Sequence, residues 1–403
     1  MKIGYINKKV VVAGLGLVTP LGRSPWSTFR ALLDGKTLAD RARRLPVDVA
    51  PVDMVRAVGC VASVQHTAID PAAALAEQAA RQAISMPGQQ AVSAETIDAT
   101  YLGTSKGAIQ SFGKDPARHR TAAQTVALGP CGYLAEQLRR RLDVGACQCI
   151  VAACASGLQA LDHARRRLLF DPTCRRVLVL STDAALFPLL IGSYRRLGLT
   201  APMTPDAYIA RPLDQRRGGF MLAESGAAVM LERRDRLQPG DIALVNTACA
   251  NEAYDIVRPH PTMPALEYVA TRLIADRRVD MLHPHAPGTV GHDCVELNLL
   301  ARVATANSSV QPARPSRGLD VYACKGALGH ALGAAGLVSF VVACMCARTG
   351  KRPPMPWLEQ PIESPLTVTA QPTARNVAQT PSSHAIFAAG FGGHVAGVVI
   401  QRV

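Results

Sequence analysis

Short β-branched runs alternate along this chain with longer stretches rich in Ala, Leu and Arg. That alternation of short apolar runs with longer stretches is the pattern of α/β architecture. The runs Val10–Val12, Val177–Leu180, Ala227–Leu231, Ile242–Val245, Ala385–Ala388 and Val398–Ile400 predict strands. Helices are predicted over Ala73–Ile84, Cys131–Leu142, Ser156–Leu169, Pro264–Ala275, Cys294–Val303 and Leu332–Ala347. Two segments break the pattern: Ala39–Thr67 is irregular, and Lys351–Pro381 is proline-rich and predicts a loop over the surface. A charged stretch ending in Leu237-Gln238-Pro239-Gly240 separates two strand-like runs and marks a seam. We divide the chain there, into residues 1–240 and 241–403.

At 403 residues there is ample interior for one large or two medium domains. The composition, 48% hydrophobic and 18% charged, is that of a soluble globular protein. No N-terminal segment has the order of a secretion signal, so a cytoplasmic protein is expected. The longest uncharged stretch, Ala331–Ala347, falls short of a membrane span and predicts a buried core helix. Eleven cysteines lack Cys-x-x-Cys spacing and a second cluster, which argues against zinc and for reduced, buried thiols. The net charge of +14 and arginine runs such as Arg139–Arg141 and Arg165–Arg167 would attract a polyanion. With only 4% aromatics and no recognisable nucleic-acid module, nucleic acid is a poor explanation.

Three short segments carry chemistry. Cys154 lies between Ile150-Val151-Ala152-Ala153 and an amphipathic stretch from Ser156, so a strand, a sharp turn and a helix would set its sulfur at a helix N-terminus. There the helix dipole is expected to lower the thiol pKa. His285 sits in His283-Pro284-His285-Ala286-Pro287-Gly288-Thr289, a tight turn after a strand, with His283 the local competitor. His330 closes Lys325-Gly326-Ala327-Leu328-Gly329-His330, ahead of small residues that suit a buried helix. Lys325 in such surroundings needs a counterion. A cysteine and two histidines beside small residues suit thiolate attack on a thioester, with imidazoles donating to oxygens that gain charge. Gly14-Leu15-Gly16 after a strand invites a dinucleotide reading, but Thr19 stands where the third glycine belongs. No cofactor and no metal is expected.

These segments resemble those of the elongating β-ketoacyl-acyl carrier protein synthases, condensing enzymes of the thiolase-like superfamily. The likeness extends to Val11–Gly22, Tyr101–Gly107, Arg211-Pro212-Leu213-Asp214 with Gly219-Phe220 and Glu224, and Gly390-Phe391-Gly392-Gly393. It implies an α/β thiolase-like duplicated five-layer αβαβα fold with the site between halves. It also implies decarboxylative Claisen condensation of an acyl-Cys154 intermediate with a malonyl-carrier protein, substrates riding on the carrier's phosphopantetheine. His285 and His330 would hold the malonyl thioester and Lys325 would join them and Cys154 as a catalytic residue, with Glu296, or failing that Asp293, as its counterion. Phe391 would gate the acyl pocket and share an oxyanion hole with Cys154, and Thr289, Gly392 and Gly393 would line the substrate. An acidic acyl carrier protein explains the basic excess, and a homodimer is expected, a heterodimer being the other arrangement. A non-condensing, chain-length-factor-like partner subunit is the rival reading within the fold. Pro287, His292, His394-Val395 and Gly219 depart from the family pattern, and we take His292 and His394 as ordinary polar histidines.

Overall fold

Nine of the ten residues of Lys9–Val18 (β1) are buried, so this strand is covered on both faces and lies deep in a layered structure. A computed structural model describes residues 8–41, 70–85, 96–112, 122–186, 188–201, 210–306, 319–374 and 382–403. In the first half β1 joins β2 (Ala99–Gly103), β3 (Cys147–Ile150), β4 (Arg176–Asp183) and β5 (Ser225–Arg234) in the order β3-β2-β4-β5-β1. β2 runs parallel to both β3 and β4, whereas β5 is antiparallel to β4 and β1.

The second half repeats this plan with β6 (Ile242–Asn251), β7 (Met281–His283) and β8 (Asp320–Val321). A small separate ribbon, β9 (Lys351–Arg352) with β10 (Thr373–Ala374), precedes β11 (Ser382–Gly390) and β12 (His394–Arg402). The order is β8-β7-β11-β12-β6, with β7 parallel to β8 and β11 and with β12 antiparallel to β11 and β6. Counted from the start of each half, both sheets read 3-2-4-5-1 with the same strand directions. The turn after β5 holds the Leu237–Gly240 seam, and the sheets touch along β1 and β6 at Val11–Ala243.

Helices Ser156–Phe170 and Ala335–Thr349 fill the space between the sheets. Pro71–Ile84 and Ala122–Leu142 cover the outside of the first sheet; Pro264–Ile274, with Val290–Thr305 beside it, covers the second. Five layers result. All thirteen residues of Ala335–Ala347 are buried, so a helix apolar all round is a core helix here, even though Leu332–Thr349 is long and apolar enough to cross a membrane. Gly14 and Gly16 serve this packing rather than a nucleotide: a Cβ on them would lie 1.9 Å from Ala83 O and 1.8 Å from Ala79 O of the outer helix.

The structure extends several elements beyond their apolar runs. β6 continues to Asn251, and Ala122–Leu142 bends at Gly129-Pro130, so the segment predicted from Cys131 is its second, straight part. Pro25–Leu33 and Pro188–Arg196 are helices the pattern did not mark. The first is set by a capping box between Ser24 and Ser27 with Pro25 at its first turn. Of the segment 39–67, residues 42–67 lie outside the described residues; 351–374 is loop apart from the small ribbon.

Candidate active site

Cys154 sits on a strained elbow after β3. Ala153 has φ +47°, a left-handed backbone unusual for a residue with a Cβ, and two short turn bonds close behind it: Ala155 N–H donates to Ala152 O (3.0 Å) and Ser156 N–H to Ala153 O (3.2 Å). The buried Ser156 hydroxyl accepts from Ala152 N–H at 2.8 Å and reaches Ala153 O and Thr104 O at 2.6 and 3.1 Å, tying the elbow to the loop after β2. The sulfur is thereby held two residues before the first turn of the central helix. The expected low thiol pKa is not found. Burial pushes the Cys154 thiol up to about 12, Lys325 and Lys106 opposing and Asp183 reinforcing that rise. Desolvation of a sulfur at the buried floor of the cleft outweighs the nearby positive charge.

His285 follows β7 on a turn in which Ala286 has φ +34°. Glu296, from the helix Val290–Thr305, accepts the N–H groups of His285 and Ala286, both at 2.7 Å. Asp293, one turn earlier, accepts from Gly288 N–H (3.0 Å) and Leu213 N–H (2.9 Å), stitching the His285 turn to the Arg211–Asp214 loop. Burial lifts the Asp293 carboxyl to about 6. Burial alone would raise Glu296 too, but the His292 contact and its two backbone donors hold it below the usual carboxylate value. Glu296 and Asp293 favour the Lys325 charge through space but make no direct ion pair with it, since both carboxylates are occupied by backbone N–H groups. The Lys325 ammonium instead donates to the His285 carbonyl, and burial lowers its pKa. Cation and carboxylate grip opposite edges of the same turn.

His330 leaves the short helix Lys325–Leu328, and its main chain is clamped by Met221 O (2.7 Å) and Ala223 N–H (3.1 Å). Its Nδ1 accepts the Leu332 N–H at 3.0 Å. A nitrogen that accepts carries no proton, so in the neutral ring the proton sits on Nε2, a donor. Burial first, then the charge of Lys325, pushes His285 and His330 well below their ordinary values, and both stay neutral. Their ring centroids are 5.4 Å apart. Asp183, a buried carboxylate at the end of β4, accepts from Thr104, Ser105, Lys106 and Gly333, anchoring the loops on either side of Cys154 and His330.

These groups share one cleft of ≈ 770 Å³, mouth included, lined by Cys154, His285, Thr289, His330, Phe391 and Gly393 among others. Gly390 lets the closing loop reach Cys154: a Cβ there would lie 2.7 Å from Cys154 N. Gly392, expected to line the substrate, does not; its N–H donates to Ile256 O and its carbonyl accepts from Asn251. Lys325, Glu296 and Asp293 stand behind the cleft wall. His292 and His394, expected to be ordinary polar histidines, both line the cleft. The His292 ring centroid lies 5.1 Å from that of His285, and its Nε2 is 3.2 Å from Glu296. Sequence reasoning missed Tyr194 and Asp183. Tyr194 sits in an unpredicted helix, and a lone acidic residue at a strand end gives no signal. Among the described residues no cluster of three potential metal ligands occurs.

Residues 7–236 match the family described as the β-ketoacyl synthase N-terminal domain, and 242–359 match its C-terminal domain. The chain is 24% identical to a 3-oxoacyl-acyl-carrier-protein synthase 2 of Coxiella burnetii, covering 89% of this chain and 90% of that protein. It is 25% identical to the protein of the same name from Synechocystis sp., over 88% and 89% of the two chains. Among solved structures, the ketosynthase of a type II polyketide synthase, in complex with its acyl-carrier protein and bound to a hexaketide, superposes with TM-score 0.80 at 18% identity, covering 98% of this chain and 100% of that one. The ketosynthase from module 6 of the bacillaene synthase of Bacillus subtilis 168 gives TM-score 0.76 at 17% identity, over 98% and 72%.

Proposed function

The chain belongs to the β-ketoacyl synthase family, a condensing enzyme, and from that premise we propose that Cys154, His285 and His330 are its catalytic residues. The observation that carries the reading is their meeting in one cleft from opposite halves of the fold.

In the first stage the Cys154 sulfur attacks the acyl thioester on a carrier's phosphopantetheine. A new C–S bond forms, the carrier's C–S bond breaks, and the carrier leaves as its thiol. The charge on the tetrahedral oxygen is taken by the N–H groups of Cys154 and Phe391, which the bare Gly390 allows to approach. In the second stage a malonyl-carrier binds with its thioester carbonyl facing the two imidazoles. The Nε2–H of His330 and a ring N–H of His285 donate to that oxygen. As the bond to the carboxylate breaks and carbon dioxide departs, the electron pair becomes an enolate on this oxygen. The enolate carbon attacks the acyl-cysteine, forming the C–C bond and expelling the Cys154 thiolate. Neutral imidazoles suit this task, since they donate without surrendering a full proton to the enolate. Lys325 and Glu296 are positioning residues that hold the His285 turn.

The donor is an acyl carrier protein; the net charge of +14 favours an acidic partner. A homodimer is supported by β3, an edge strand only partly buried and followed by Val151, 54% exposed. The non-catalytic subunit reading is disfavoured by the intact nucleophile and both imidazoles in the cleft. Incubation with acyl- and malonyl-carrier panels, followed by mass spectrometry, tests the proposal. A β-ketoacyl-carrier product lost in Cys154→Ala supports it; product formation that survives this substitution refutes the assignment.

A further inference from the structure

Beside Phe391 the cleft wall is built mainly of aromatic and aliphatic side chains, Tyr194 among them. Tyr194 is 7% exposed, its ring stacked on Phe391 with centroids 6.1 Å apart and edge-on to Phe220 at 5.9 Å. Phe220 in turn lies 4.8 Å from the His330 ring. Together with Leu199 and Leu332 these rings form one cluster and line the same cleft as Cys154. The phenol hydroxyl of Tyr194 has no hydrogen-bond partner among the described residues. Tyr322 also has an unpartnered hydroxyl, but that one is sealed in the core, whereas Tyr194 faces the cleft. Burial pushes the Tyr194 phenol above its ordinary value, so it stays a donor. Lys106 Nζ, 5.9 Å from the ring centroid, covers it as a cation–π partner and leaves the hydroxyl unengaged.

The Tyr194 hydroxyl opens onto the cleft, so it is unpaired only when an acyl chain displaces water there without offering an acceptor; a ligand oxygen that supplies the bond is then favoured over one that leaves it unmade. A saturated acyl chain on Cys154 would pack against these rings and strand the hydroxyl. An acyl chain with an oxygen near the thioester would satisfy it. We propose that Tyr194 is a specificity-determining residue that selects β-keto- or β-hydroxyacyl groups over saturated acyl groups of the same length. The inference rests on Cys154 being the acyl acceptor, as proposed above. The reaction that supplies the acyl group would then be a condensation whose β-carbonyl is not fully reduced before the chain returns to this enzyme.

The test is single-turnover acylation of the full-length protein by pantetheine thioesters of butyrate, 3-hydroxybutyrate and acetoacetate, read as mass added to Cys154. Wild type is compared with Tyr194→Phe, and the quantity compared is the ratio of oxygenated to saturated rates, which cancels differences in thioester reactivity. The ratio is expected to fall about tenfold in the variant, the worth of one hydrogen bond. An equal ratio in both proteins overturns the proposal. So does loss of all acylation in the variant alone, which would make Tyr194 essential instead of selective. Failure of wild-type Cys154 to accept any of the three thioesters overturns its assignment as the acyl acceptor, a distinguishable result.

Discussion

Replacing Glu296 by Gln separates the two chemical stages. The carboxylate accepts the His285 and Ala286 N–H groups at 2.7 Å each, inside the buried wall behind the cleft. A Gln side chain offers one carbonyl oxygen, so one N–H keeps an acceptor and the other faces an NH2 group. The loss is one charge-assisted hydrogen bond, worth about 1.5–3 kcal/mol. Part of it appears as stability, a melting shift of a few degrees. The rest is displacement of a strained turn, with Ala286 at φ +34°, that aims the His285 ring. If all of it is felt in the transition state, decarboxylation slows by about 10- to 100-fold, since each 1.4 kcal/mol is a factor of ten. Cys154 belongs to the other half and makes no contact through Glu296, so acylation should change by less than about threefold. The assay pairs carbon dioxide release from malonyl-carrier protein with the mass of acyl-Cys154 on the same preparation. Equal slowing of both stages, or an unaltered decarboxylation rate, would refute the assignment of Glu296 to the His285 turn.

Three further outcomes are expected. Because burial lifts the Cys154 thiol to about 12, its alkylation by iodoacetamide should climb roughly tenfold per pH unit from pH 7 to 10 without levelling, and a plateau near pH 8 would contradict this. Gly390→Ala forces a Cβ to 2.7 Å from Cys154 N; at about 1–3 kcal/mol of overpacking, acylation should fall more than tenfold, and near-normal acylation kinetics would show that the loop does not seat on Cys154. Buried Glu224, raised by burial to about 7 from an ordinary 4.5, folds protonated. Its favourable contribution is complete below pH 4.5 and is lost as pH rises through 7. Glu224→Gln should therefore gain on wild type by about 3 kcal/mol between pH 4.5 and 7.5 in denaturant unfolding, and a pH-independent difference would exclude the buried acid as the cause.

The apolar runs were enough to mark the α/β layering, all the long strands and all six predicted helices, because those features depend on local burial patterns. Cys154, His285 and His330 were singled out by their three segments occurring together and by their resemblance to a known family, since a small residue beside a Cys or His is common on its own. The repeated 3-2-4-5-1 order was not legible, since β7 and β8 are two or three residues long and their pairing is set by register across the sheet. Nor was the fate of each charge. Glu296 serves the backbone of the His285 turn because the helix Val290–Thr305 aims it there, and Lys325 grips the same turn from the other side. His292 and Tyr194 enter the cleft from the helices Val290–Thr305 and Pro188–Arg196, whose place beside Cys154 only the folded chain sets. Most telling is Cys154, whose place before a helix pointed to an acidic thiol while burial at the floor of the cleft made a weakly acidic one. Desolvation depends on what surrounds an atom in three dimensions, and only the folded arrangement decides that.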